Sequence, residues 1–165
     1  MVEAIVETLG KQALLYSQLL VLAKQKTPLL VKNEVEQLNA IMQKEKKLLK
    51  QVEELEQLRM QLSGQFFSSL GLLRYRGGRL IEMIRIVASA QDKQKLTELH
   101  SELTELLGEL QNVNELNQQL IEQSLKFIDY SIDLMVEDPN EDMTYQHPLS
   151  PGYGNARNGL FDTRG

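Results

Sequence analysis

Few residues in this chain have a type and spacing that could do chemistry. The histidines are His100 and His147. Neither has a second ligating side chain three or four residues away, the spacing that puts two donors on one helical face. Glu102, Glu105 and Glu109, and Asp129 with Asp133, are carboxylates at helical spacing, a pattern able to hold a cation or share a proton. Without histidine or asparagine partners they read as a solvated acidic face. There is no cysteine, which removes thiolate chemistry and a disulfide framework. No glycine-rich loop follows a strand pattern and no serine sits in a nucleophile elbow. The chain therefore reads as a protein without catalytic site, metal or cofactor.

Two further classes are disfavoured. Arg76-Gly77-Gly78 is a single copy of an RNA-associated tripeptide in a chain of net charge -5, and reads as a helix-ending loop. No nucleic acid is expected as a partner. The apolar patch around Leu19 to Ala23 is far too short to cross a bilayer, so no stable membrane insertion is expected. The N-terminus opens with Glu3 and Glu7 in place of a basic leader, which gives a cytoplasmic protein as the expectation.

What could act instead is helical surface, and one stretch dominates it. From Leu96 to Met135 no proline intervenes. Leu96, Leu99, Leu103, Leu106, Leu110, Val113, Asn117, Leu120, Ser124, Phe127, Ser131 and Leu134 recur in alternating steps of three and four. That is the seam of a helix packed on other helices, and at about 1.5 Å per residue it spans roughly 60 Å. The composition agrees: 42% hydrophobic and 5% aromatic residues, with a mean hydropathy of -0.31, suit a leucine-rich all-α protein.

The upstream residues supply what that helix packs against. Val2, Ile5, Leu9, Ala13, Tyr16, Leu20 and Ala23 predict a first helix ending near Lys26, because Thr27-Pro28 biases the chain away from helical geometry. Asn33 with Glu36 predicts a capping box opening the second helix. Its seam runs Leu38, Ile41, Glu45, Leu48, Val52, Leu55, Arg59, Leu62, Phe66, Ser69, Leu73. Gly64 and Gly71 weaken its last turns, and Gly77-Gly78 closes it. Leu80 to Ala88 predicts a short connecting helix, and Asp92 a cap for the long last one. The fold expected is an antiparallel, coiled-coil-like bundle of three long helices over 1-136. A flexible acidic tail, rich in proline and glycine, follows over 137-165.

Charge and apolar width both single out the last helix. Residues 92-136 hold nine acids and three lysines, whereas residues 1-50 hold eight lysines and five acids. This complementarity favours packing the two together. Toward its C-terminal end the apolar face broadens, since Ile121, Leu125, Ile128, Ile132 and Met135 lie beside Leu120, Phe127 and Leu134. Such a face can dock a partner helix, or it can be the surface that a shorter first helix covers. The seams equally fit a structural coiled-coil tether or oligomeric scaffold, and leave homo-oligomerisation open.

The order of parts resembles the FlgN family of flagellar export (type III secretion) chaperones. The resemblance rests on the leucine-rich first helix, then Leu29-Leu30-Val31-Lys32-Asn33-Glu34-Val35-Glu36-Gln37-Leu38. It continues through Leu110-Gln111-Asn112-Val113-Asn114-Glu115-Leu116-Asn117 into Leu120-Ile121-Glu122-Gln123-Ser124-Leu125-Lys126-Phe127-Ile128. It implies an all-helical cytoplasmic chaperone that binds the C-terminal helices of the hook-associated junction proteins FlgK and FlgL and delivers them to the export gate. The client-binding residues it points to are Ile121, Leu125, Ile128, Ile132 and Met135, to which the apolar pattern adds Leu120 and Phe127. It also implies that the tail contacts the export gate through Tyr145 or Tyr153.

Overall fold

A computed structural model describes residues 1-72 and 78-136. The expected tail over 137-165, with Tyr145, His147 and Tyr153, lies outside the described residues, as does Arg74-Tyr75-Arg76-Gly77. Four helices follow one another: α1 (Val2–Lys32), α2 (Val35–Ser69), α3 (Leu80–Ile86) and α4 (Ala90–Met135). No strand occurs among the described residues. The all-α fold of three long helices and a short connecting one is the fold that the periodicities predict.

The chain divides into two compact units, Met1–Leu120 and Ile121–Gly165. In the first, polar cross-links give the helix directions. Gln12 meets Glu56 and Lys26 meets Glu45, so α1 and α2 are antiparallel. Lys24 meets Glu109 and Thr27 meets Asn117, while Ile5 and Leu9 share a core with Leu96 and Leu103. α1 and this part of α4 therefore run parallel, the up-down-up arrangement of three helices.

The core is densest where the start of α1, the end of α2, α3 and the start of α4 converge. Ile5, Leu9, Phe66, Phe67, Met83, Ile84, Val87 and Leu96 are all buried there. Phe66 and Phe67 meet edge to face, with ring centroids 5.5 Å apart and planes at 77°, the orientation the aromatic quadrupoles favour. The α2 seam holds from Leu38 to Phe66, with Ile41 and Phe66 buried and Leu38, Leu48, Val52, Leu55 and Leu62 half-buried; Ser69 is exposed and Leu73 lies outside the described residues. Glu45 and Arg59, two of its polar interruptions, are ion-pair sites. Glu45 binds Lys26 at 2.8 Å, and Arg59 binds Glu56 through Nη2 at 2.6 Å.

Four boundaries differ from expectation, each for a local reason. α1 continues through Pro28 to Lys32. Proline removes one N–H, leaving the Lys24 carbonyl without its intrahelical donor, but the turn before it is fixed by contacts of Ala23 and Thr27 with α4. Asn33 does not open α2. At φ 55° it closes α1, its N–H donating to the Leu30 carbonyl while the Glu34 N–H donates to that of Leu29. Asparagine tolerates this left-handed geometry better than other residues with a side chain.

Gly71 does the same for α2. Its φ of 73° and the Leu72 N–H to Phe67 carbonyl bond of 2.9 Å stop the helix before the glycine pair. Gly64 sits inside α2. For α4 the cap is Ser89, whose hydroxyl accepts the Asp92 N–H at 3.3 Å. Asp92 instead places a carboxylate in the first turn, where it complements the helix dipole.

Candidate functional site

The α4 seam keeps its burial as far as Leu120. Leu96, Leu103 and Asn117 are buried, and Leu99, Leu106, Leu110, Val113 and Leu120 are half-buried. Asn117 is the polar member of this seam. Its amide nitrogen donates to the Ala23 carbonyl at 2.9 Å, and its oxygen accepts the Thr27 hydroxyl at 2.6 Å.

Beyond Leu120, in the second unit, apolar residues are exposed. Ile121, Leu125, Ile128, Ile132 and Met135 stand four, three, four and three residues apart, and Leu125 and Ile128 are 51% and 52% exposed. Phe127, at 69%, and Leu134, at 58%, form a second line. At about 100° per residue the lines lie roughly 130° apart, so that together they take up about half of the helix circumference, more than the stripe of an ordinary surface helix.

Ser124 and Ser131 fall between the two lines and are half-buried. The Ser131 hydroxyl turns back to the Phe127 carbonyl at 2.9 Å, which satisfies it on its own helix. The result is a shallow trough with a small-residue floor and apolar ridges. Glu122, Lys126, Asp129 and Asp133 occupy the opposite half of the helix. The expected site residues Ile121, Leu125, Phe127, Ile128, Ile132 and Met135 thus share one broad face, and Leu120 precedes it. Leu134 belongs with them. Its spacing sets it on one line with Leu120 and Phe127, and it is exposed as Phe127 is.

Exposed apolar side chains gathered on one face of a helix are the condition for a docking surface.

No group of three or more His, Cys, Asp or Glu side chains suited to a metal occurs among the described residues, and none of the described helices is long and apolar enough to cross a membrane. The perturbed titratable cluster is structural. Glu56 accepts two hydrogen bonds from Arg59, at 2.8 and 2.6 Å, and one from the buried Gln12 at 2.9 Å. The Arg59 guanidinium holds the Glu56 carboxyl below its ordinary range, Glu56 in turn raises the Arg59 pKa, and burial pushes the neighbouring Tyr16 phenol up. The cluster ties α1 to α2.

The model of the FlgN protein family matches residues 1–149. The uncharacterized protein YvyG of Bacillus subtilis (strain 168) is 31% identical over 138 residues, covering 84% of this chain and 82% of that protein. No solved structure matches. A family match over this span, on an all-helical fold, carries one conclusion: the chain belongs to the FlgN family of flagellar export chaperones.

Proposed function

We propose that this protein binds the C-terminal helices of the hook-associated proteins FlgK and FlgL in the cytoplasm and delivers them to the export gate. The client lies along Ile121, Leu125, Ile128, Ile132 and Met135, with Leu120 and Phe127 bordering the trough. The observation that supports this reading is the exposure of an apolar face covering about half of the helix circumference at the end of α4.

The physical logic needs no nucleotide or metal. Proteins that assemble outside the cell carry helices prone to associate early, and an apolar helical face can mask such a helix in the helix-in-groove mode. Mass action then sets occupancy, and release follows when the client is transferred to a competing site. Delivery is assigned to the tail, through Tyr145 or Tyr153.

Co-expression of the full chain with the C-terminal segment of FlgK or FlgL tests the reading. A complex of fixed stoichiometry on a sizing column with light scattering supports it. An extended oligomer of the chain alone, without affinity for either segment, supports a structural tether instead.

A further inference from the structure

A second unpartnered surface lies in the first unit, made only of α1 and α2 residues. Between these helices runs a groove of about 510 Å³, lined by Gln18, Val21, Leu22, Lys44, Lys47 and Leu48. It does not face the part of α4 that lies in the first unit. At about 100° per residue, Val21 lies roughly 160° around α1 from Ala23, whose carbonyl meets Asn117 on α4. We infer that this groove docks an acidic amphipathic helix of a partner protein.

Three observations carry this assignment. The floor is apolar and open: Val21 is 54% exposed, and exposed Leu14 on α1 and Leu58 on α2 extend the strip beyond the groove. Lys44 to Leu58 corresponds to about 21 Å of helix, or roughly four turns, a length that suits a helical segment.

The rim is basic and unspent. Lys44 and Lys47 line it, and neither forms an ion pair among the described residues. The neighbouring Glu45 is already committed to Lys26. The helix that fits this arrangement has an apolar stripe for Val21, Leu22 and Leu48 and carboxylates flanking it to meet Lys44 and Lys47.

The charge has a direction along the groove. Between Lys44 and Leu58, Glu54 is the acid on this face, one turn past Gln51. A bound helix therefore places its acids toward the Lys44 end and its neutral end toward Leu58. The surface is separate from residues 121-135, and the inference stands without the client reading.

The test uses the full chain and a labelled synthetic peptide of about 18 residues, roughly five helical turns. The peptide has leucines in the three-four pattern and glutamates flanking them. A counterpart carries lysine in place of each glutamate. Fluorescence anisotropy should show saturable binding of the acidic peptide, about tenfold or more tighter than the basic one and weakening with salt.

The double variant Lys44→Glu, Lys47→Glu should lose about tenfold in affinity for the acidic peptide. Leu125→Glu should leave it unchanged. Both lysines are exposed, and circular dichroism verifies that the variant is folded. Equal binding of the two peptides, no saturable binding, or insensitivity to the double substitution overturns the inference. So does a dimer of the chain alone that the double substitution dissolves, because the occupant would then be a second copy.

Discussion

Asn117 and Thr27 meet across α4 and α1 at 2.6 Å, with Asn117 also holding the Ala23 carbonyl at 2.9 Å. Asn117 is 3% exposed. One buried amide in an otherwise apolar seam fixes how the two helices are aligned, because any slip leaves it without partners. Its partners Ala23 and Thr27 lie just before Pro28, so it also anchors the residues on which the proline turn depends.

Asn117→Ala should destabilise the fold by about 1–3 kcal/mol, the cost of stranding buried polar groups. Asn117→Leu combined with Thr27→Val removes both side chains of the pair and should recover part of that loss. Urea unfolding monitored by circular dichroism measures both. Equal stability of Asn117→Ala and the parent would remove the role assigned to this pair.

Pro28→Ala restores an N–H to a helix that already continues through this position. The expected outcome is a gain in stability of at most about 3 kcal/mol, the cost of a helix-interior proline. A loss would mean that the proline geometry is required by the packing of Leu29 and Leu30.

Two glycines should respond with opposite sign. Gly71 sits at φ 73°, where a side chain is strained, so Gly71→Ala should cost about 1–2 kcal/mol. Gly108 lies inside α4 with nothing within 4 Å of an added Cβ, so Gly108→Ala should stabilise by about 0.5–1 kcal/mol. Thermal melts of the two variants on either side of the parent are the check.

The Glu56 cluster gives the fold an acid-sensitive component. The folded-state pKa of Glu56 lies below its ordinary value of 4.5, chiefly through the Arg59 hydrogen bonds. Its contribution is therefore fully present above about that ordinary value and is lost as pH falls through the lowered one. Stability measured from neutral pH downward should decline less steeply for Glu56→Gln than for the parent. Identical acid limbs would show that Glu56 is not the group responsible.

Much of this fold is legible in the sequence because burial and helical periodicity coincide over long helices. The α2 series from Leu38 to Phe66 is buried or half-buried as its spacing predicts. Phe67 and Ser63, off that series, are also buried, because the end of α2 is enclosed by α1, α3 and α4 together and not by one neighbour. Helix ends were less legible, since the same residue types serve opposite purposes. Asparagine suits both an N-cap and a left-handed C-cap, and Asn33 takes the second role. α1 continues through Pro28 because a local preference yields to tertiary contacts at Ala23 and Thr27.

The broad face at the end of α4 was legible as a pattern, but its availability was not. Spacing alone distinguishes a wide apolar face from a narrow one. Whether that face is covered depends on three-dimensional packing, which spacing does not encode.

Titration calorimetry of the full chain with the C-terminal segment of FlgK tests the central claim most directly. Leu125→Glu and Ile128→Glu, at exposed positions, should each weaken binding at least about tenfold, the effect of a charge in the centre of an apolar contact. Leu107→Glu, on exposed α4 surface within the first unit, should bind as the parent does. Folded Leu125→Glu and Ile128→Glu variants that bind the segment with parental affinity would contradict the account.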